Sequence, residues 1–275
     1  MPKKRKYSTR YDLEANWKLS LERGPGAYSP QAPQSTGHLV PDPPPPDLTA
    51  GAPDLAGLLA RADVAGLGLI ELGDTRRAIE FVSDAYLAFR GNLGVAHPVA
   101  LRLANNLGCA LLADGDPEKA RKLLTAVWER RNRTLGRESP ETVSAAGNLG
   151  CALSDAGDRA RAEELLSFSL ASREKAQGPE SRDALASAMN LGLAVFIAGD
   201  RLRGIALVRR AAEALERTLG EGDPDTLRAL ETLAYALELT GGRGEAHEIQ
   251  RRVLRERDII ALLEEPDFWP GGPIQ

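Results

Sequence analysis

The chain has 275 residues and a net charge of −4 at pH 7, which argues against a protein that binds nucleic acid through its overall charge. Hydrophobic residues make up 43% of the sequence and aromatic ones only 5%, so a core of Ala, Leu, Val and Ile is expected, which suits close helix packing. The two cysteines are too few for a disulfide-stapled secreted domain, and the three histidines show no metal-ligand spacing.

Residues 1–53 are predicted to form a disordered arm, because a basic start is followed by Pro-rich stretches such as PDPPPPD at 41–47. No apolar core follows the basic start, so a signal peptide is not predicted. The run PKKRK at 2–6 resembles a nuclear import signal, and it also fits a phosphate-binding arm or a solubilising tail. We therefore expect a cytoplasmic protein, with the nucleus as the alternative through Lys3–Lys6.

An internal repeat organises the rest of the chain. The segment NLGCAL starts at Asn106 and recurs at Asn148, and related segments start at Asn190 and Thr232, each 42 residues further on. The same step joins four glycines that mark turns, Gly115, Gly157, Gly199 and Gly241. A weaker first copy precedes the others. The predicted solenoid covers 54–265, with copies near 57–98, 99–140, 141–182, 183–224 and 225–262, and a tail follows at 266–275.

Each copy is predicted to contain two helices, A and B. In the second copy helix A runs roughly from Val99 to Asp114, and the pair Gly115–Asp116 ends it and caps helix B. Small residues, Gly108 on helix A and Ala120 on helix B, are expected where the two helices cross. One such hairpin cannot bury its own apolar face, so the copies must stack into an all-α solenoid.

Three segments of the repeats resemble a known family: NNLG at 105–108, SLASREKAQG at 169–178 and DPDT at 223–226. They are similar to the tetratricopeptide repeats of kinesin light chains, whose unit exceeds the usual length of about 34 residues. The resemblance covers roughly Leu55 to Asp258. It implies a right-handed superhelix of about five helix-turn-helix repeats with a concave groove for peptides. It therefore implies a non-enzymatic scaffold or adaptor with a protein or peptide partner.

Three asparagines, Asn106, Asn148 and Asn190, hold one position on successive A helices, and in this family that position faces the groove. An amide both donates and accepts hydrogen bonds, so such a row can hold the backbone of an extended peptide. The alternative is that the amides satisfy groups within the solenoid.

Further along the groove we predict an apolar pocket near Phe196 and a charged end near Arg228. The alternative for Phe196 is that it packs inside together with Met189. The full set of predicted groove residues is Arg102, Asn105, Asn106, Asn148, Asn190, Phe196, Arg228 and Tyr235.

The sequence contains no P-loop, HExxH motif or nucleophile elbow, so we predict no catalytic residue, no metal and no cofactor. The tetrad SREK at 172–175 has the Ser-x-x-Lys spacing of one hydrolase class, but its place on helix B favours a solvated charged face. The same holds for Glu163 and Glu164. Cys109 and Cys151 are predicted to be free thiols. The longest apolar stretch is too short to span a membrane.

The predicted function is binding of an extended partner peptide in the concave groove, without catalysis. The alternative is a regulator in which the solenoid senses a partner and the basic arm contacts nucleic acid. In that alternative only residues 2–6 would contact the nucleic acid.

Overall fold

The computed structural model describes residues 74–264, with side chains up to residue 257. The predicted arm at 1–53, helix A of the first copy and the tail at 266–275 lie outside the described residues. Within the described part the chain forms nine helices: α1 Thr75–Leu93, α2 Pro98–Ala113, α3 Pro117–Leu135, α4 Pro140–Asp155, α5 Arg159–Gln177, α6 Arg182–Ala198, α7 Arg201–Leu219, α8 Pro224–Leu239 and α9 Arg243–Glu264.

The turn between α2 and α3 shows why the helices begin and end where they do. Gly115 has a φ of 82°, a left-handed conformation that favours glycine. The Asp116 carboxylate then accepts a hydrogen bond from the backbone N–H of Lys119 at 3.1 Å. Pro117 opens α3, where its missing N–H costs no hydrogen bond. The predicted Gly-Asp signal is therefore confirmed.

Helices α2 to α9 form the A and B helices of the second to fifth copies, and α1 is helix B of the first. Each helix packs against the next one along the chain. The crossings inside the copies are tight, as predicted at Gly108. A Cβ atom on Gly150 would lie 2.7 Å from Leu166 Cγ, and one on Gly108 would lie 2.6 Å from Leu124 Cγ. Only glycine allows the two helices to approach this closely.

The A helices form the inner side of the stack. Among the described helices, the backbones of α2 and α4, of α4 and α6 and of α6 and α8 approach each other closely, whereas those of successive B helices lie farther apart. Elements on the inner side of a bent stack lie closer together than those outside, so the A helices line the concave face. None of the described helices has the length and apolar character that crossing a bilayer needs.

Two arginines of the B helices are buried, which corrects the prediction that the charged runs of these helices are solvated. Arg131 donates to the carbonyl of Glu141 at 2.8 Å. Arg173, part of the SREK tetrad, donates to the Ser187 hydroxyl at 2.8 Å. The repeat register carried the signal for this, because the equivalent residue of the fourth copy is Leu215, a core residue.

Candidate functional site

The concave face is built from four rows of residues that recur on the A helices α2, α4, α6 and α8. On each A helix, the residues four positions before, three after and seven after the member of the asparagine row lie on the same side of the helix as that member. We call this surface the inner face. Its rows are Arg102, Ser144, Ala186 and Arg228; Asn106, Asn148, Asn190 and Thr232; Cys109, Cys151, Leu193 and Tyr235; and Ala113, Asp155, Ile197 and Leu239.

Asn148 joins two neighbouring A helices. Its side chain is only 5% exposed, and its Nδ2 donates to Oδ1 of Asn105 at 3.1 Å, which links α4 to α2. This is the internal role that the sequence left open as the alternative for the asparagines. Asn106 is half-buried on α2. Asn148 therefore contributes to the stacking of the copies.

Asn190 has a different environment. Its Nδ2 is shielded from solvent and has no hydrogen-bond acceptor among the described residues. Leaving a buried amide donor unsatisfied costs about 1–3 kcal/mol. Asn190 lines a pocket between α4 and α6, together with Cys151 and Asp155 on one side and Leu193 and Ile197 on the other.

The prediction of an apolar pocket near Phe196 is wrong about Phe196 itself. Phe196 is 5% exposed, and its Cβ lies 2.6 Å from where a Cβ on Gly204 would be. The aromatic ring thus belongs to the packing between α6 and α7, as the alternative had it. Met189 also packs against buried residues of the core. Apolar side chains are nevertheless present at the pocket itself, because Leu193 and Ile197 form its wall.

The predicted charged end holds internal ion pairs. Arg228 contacts Asp225 at 2.5 Å, one turn earlier on α8. Glu231 contacts Arg257 of α9 at 2.7 Å. Tyr235 is half-buried, and burial raises the pKa of its hydroxyl. At the other end of the face Arg102 is half-buried on α2. The described inner face is therefore polar at both ends.

Both cysteines are free thiols, as predicted, and both are buried. Burial raises the pKa of Cys109 to about 12, and it also raises that of Cys151. Such thiols stay protonated at neutral pH and are poor nucleophiles. Among the described residues no group of His, Cys, Asp or Glu has an arrangement that could hold a metal ion.

Asp155 is the site residue that the sequence analysis missed. Burial raises the pKa of its carboxyl from the ordinary 3.8 to about 7. The repeat register contained a signal, because the equivalent residues of the other described A helices are Ala113, Ile197 and Leu239, while the first copy also has an acid, Glu71. An ionisable residue where the neighbouring copies are apolar, on a face expected to bind, is a candidate for a functional role.

Known proteins share this architecture. Models of the tetratricopeptide repeat match residues 101–141, 142–183 and 183–255, which together span more than half of the chain. The fold and its inner face define a helical repeat protein of the solenoid class. The chain belongs to the tetratricopeptide repeat family, and its repeats are of the kinesin-light-chain-like type.

Two solved structures with this fold illustrate the similarity. One contains the nearly identical TPR-like repeats described as a kinesin light chain of Podosopora anserina, with 25% identity and a TM-score of 0.55, covering 77% of this chain and 98% of that one. The other is BtubC (BKLC) from P. vanneervenii, with 18% identity and a TM-score of 0.57, covering 80% and 85%. Among curated proteins no sequence matches significantly.

Proposed function

We propose that this protein is a non-enzymatic scaffold or adaptor that binds an extended peptide of a partner protein along its inner face. Tetratricopeptide proteins are typically scaffolds for protein–protein interaction, and stacked helical repeats present long concave surfaces for this purpose. The observation that carries the proposal is Asn190, whose amide donor is shielded from solvent and has no acceptor among the described residues. The carbonyl of a bound peptide supplies such an acceptor once the Asn190 side chain turns towards the ligand.

The other inner-face residues have separate roles. Asn105 and Asn148 bind each other and hold α2 and α4 in register. Tyr235, half-buried on α8, offers an aromatic ring towards a peptide that continues past Asn190. Arg102 and Arg228 lie in the same row at opposite ends of the face, where they make the flanks of the peptide site polar.

A pull-down with the full chain and three variants tests this function. Asn190→Ala and Tyr235→Ala each remove a group of the inner face, whereas Glu164→Ala changes an exposed residue of the outer helix α5 and serves as the control. We expect the native chain and the control to retain the same partner, and the two inner-face variants to lose most of it. Equal retention by all four proteins would place the binding surface elsewhere and would overturn the proposal.

A further inference from the structure

The pocket between α4 and α6 is small and faces the same side as the asparagine row. Its enclosed volume is about 20 Å³, room for one water-sized group, which is far below the ~300–1,000 Å³ typical of sites for whole small molecules. Asp155 lies seven residues after Asn148, about two helical turns further along the same side of α4. A pocket of this size on a surface for extended chains fits the charged tip of one ligand side chain, whose stem lies along the open mouth.

The Asp155 carboxylate is half-buried and has no hydrogen bond or ion pair to another described residue. Other acids of the chain differ: Glu163 contacts Arg203 at 2.6 Å and Glu216 contacts Arg252 at 2.5 Å. Burial is the cause of the raised pKa of Asp155, and no described cation offsets it. A carboxylate withdrawn from water without a cation is costly, and a positively charged ligand group would remove that cost.

The other residues that line the pocket limit which ligand groups can bind in it. Asn190 supplies an unsatisfied amide donor, which requires an acceptor such as a main-chain carbonyl. Leu193 and Ile197 supply an apolar wall, against which the methylene stem of a long basic side chain can pack. An acidic side chain would be repelled by Asp155, and an apolar one would desolvate the carboxylate further without pairing it.

Resting on the proposed function, we propose that this pocket binds a lysine or arginine side chain of the partner peptide, with Asp155 pairing its charge and Asn190 binding an adjacent main-chain carbonyl. The pocket thereby sets the specificity of the inner face.

The row that contains Asp155 also predicts a second feature of the ligand. Towards α8 the row continues with Ile197 and then Leu239, which is 42% exposed. Neighbouring helices lie about 8–10 Å apart and an extended peptide rises about 3.3 Å per residue, so one helix step equals about three ligand residues. We therefore expect an apolar ligand residue about three positions from the basic one.

The pocket also predicts how binding depends on pH. The groups that face Asp155 are the Cys151 thiol on α4, which burial keeps protonated, the neutral Asn190 on α6 and the apolar Leu166 on α5. Asp155 is therefore the group whose charge changes near neutral pH. A bound cation favours its ionised form, so binding weakens as the pH falls below about 7.

Selection from a phage-displayed library of random dodecapeptides at pH 8 tests this pocket, with the full chain, Asp155→Asn and Glu164→Gln as baits. Glu164→Gln removes the same charge from an exposed outer position and is the matched control. We expect the native chain and the control to enrich peptides with Lys or Arg at one fixed position, and Asp155→Asn to lose that preference.

A synthetic peptide from the selection then gives the magnitude. Replacing its basic residue by norleucine should weaken binding to the native chain at least tenfold and should change binding to Asp155→Asn less than threefold. Lowering the pH from 8 to 6 should weaken binding to the native chain by about five- to tenfold and leave Asp155→Asn nearly unchanged.

The outcomes separate the two proposals. Enriched peptides without a fixed basic position, or the same basic preference with Asp155→Asn, would overturn the lysine or arginine pocket while peptide binding stands. If neither the native chain nor the variants enrich any peptide, binding along the inner face is overturned and the pocket proposal falls with it.

Discussion

At the scale of single residues, the helices within each copy can pack closely because glycines, which have no side chain, stand at their crossings. Gly150 faces Leu166 Cγ and the carbonyl of Ala162, which would lie 2.7 Å and 3.4 Å from a Cβ atom. Gly204 makes the same kind of room for Phe196 on α6. These contacts fix the distance between helices A and B, and with it the position of the inner face.

Gly150→Leu should therefore overpack the crossing of α4 and α5. We expect a loss of unfolding free energy of about 1–3 kcal/mol or more, since well-packed interiors do not accept added methylene groups. Urea denaturation followed by circular dichroism measures this loss. Ala160→Leu adds nearly the same bulk, one carbon less, at an exposed position of α5 and should stay within about 0.5 kcal/mol of the native chain. Equal stability of the two variants would contradict the tight crossing.

Asp155→Asn should change how stability depends on pH. The folded chain raises the pKa of Asp155 from 3.8 to about 7, so its unfolded form ionises first as the pH rises. The native chain therefore loses stability between about pH 4 and pH 7, and the asparagine variant lacks this part of the loss.

We expect Asp155→Asn to be more stable than the native chain by about 1–3 kcal/mol at pH 8, less than full linkage predicts because the pocket opens to solvent. The two proteins should become equally stable near pH 4. Denaturation of both over this range measures the difference directly, because the other titrating groups are common to both. A variant less stable at pH 8 would show that the carboxylate has a favourable partner.

At the scale of helices, buried arginines join successive copies. Arg173 of α5 donates to the Ser144 hydroxyl of α4 at 3.2 Å and to the carbonyl of Asp183 of α6 at 3.2 Å. One guanidinium therefore contacts the A helices on both sides of it. Its five donors suit this role better than a lysine ammonium would.

Arg173→Ala should destabilise the stack by about 2–4 kcal/mol, because it leaves a cavity and removes hydrogen bonds to buried acceptors. Arg173→Leu should cost less than Arg173→Ala, since Leu215 fills the equivalent position in the fourth copy. Thermal unfolding of both variants measures the difference. If alanine and leucine were equally harmful, the hydrogen bonds rather than the filled volume would dominate.

At the scale of the whole molecule, the repeat and its turns were predictable because they depend on local signals that recur every 42 residues, such as Gly115 followed by Asp116. Which side chains contact each other was not predictable, because that depends on which helices come together in the fold. The sequence placed Asn148 on the inner face but could not show that Asn105 binds its amide. It contained the reason for burying Phe196, namely a glycine at 204 where the other copies have alanine, but not the contact itself.

The most direct test of the central claim is photo-crosslinking in cells. The photoreactive residue p-benzoylphenylalanine replaces Leu193 on the inner face in one protein and Glu164 on the outer face in the other. The account predicts a discrete crosslinked partner from position 193, lost when Asn190 is also changed to alanine, and none from position 164. A partner crosslinked from position 164 but not from 193 would contradict binding along the inner face.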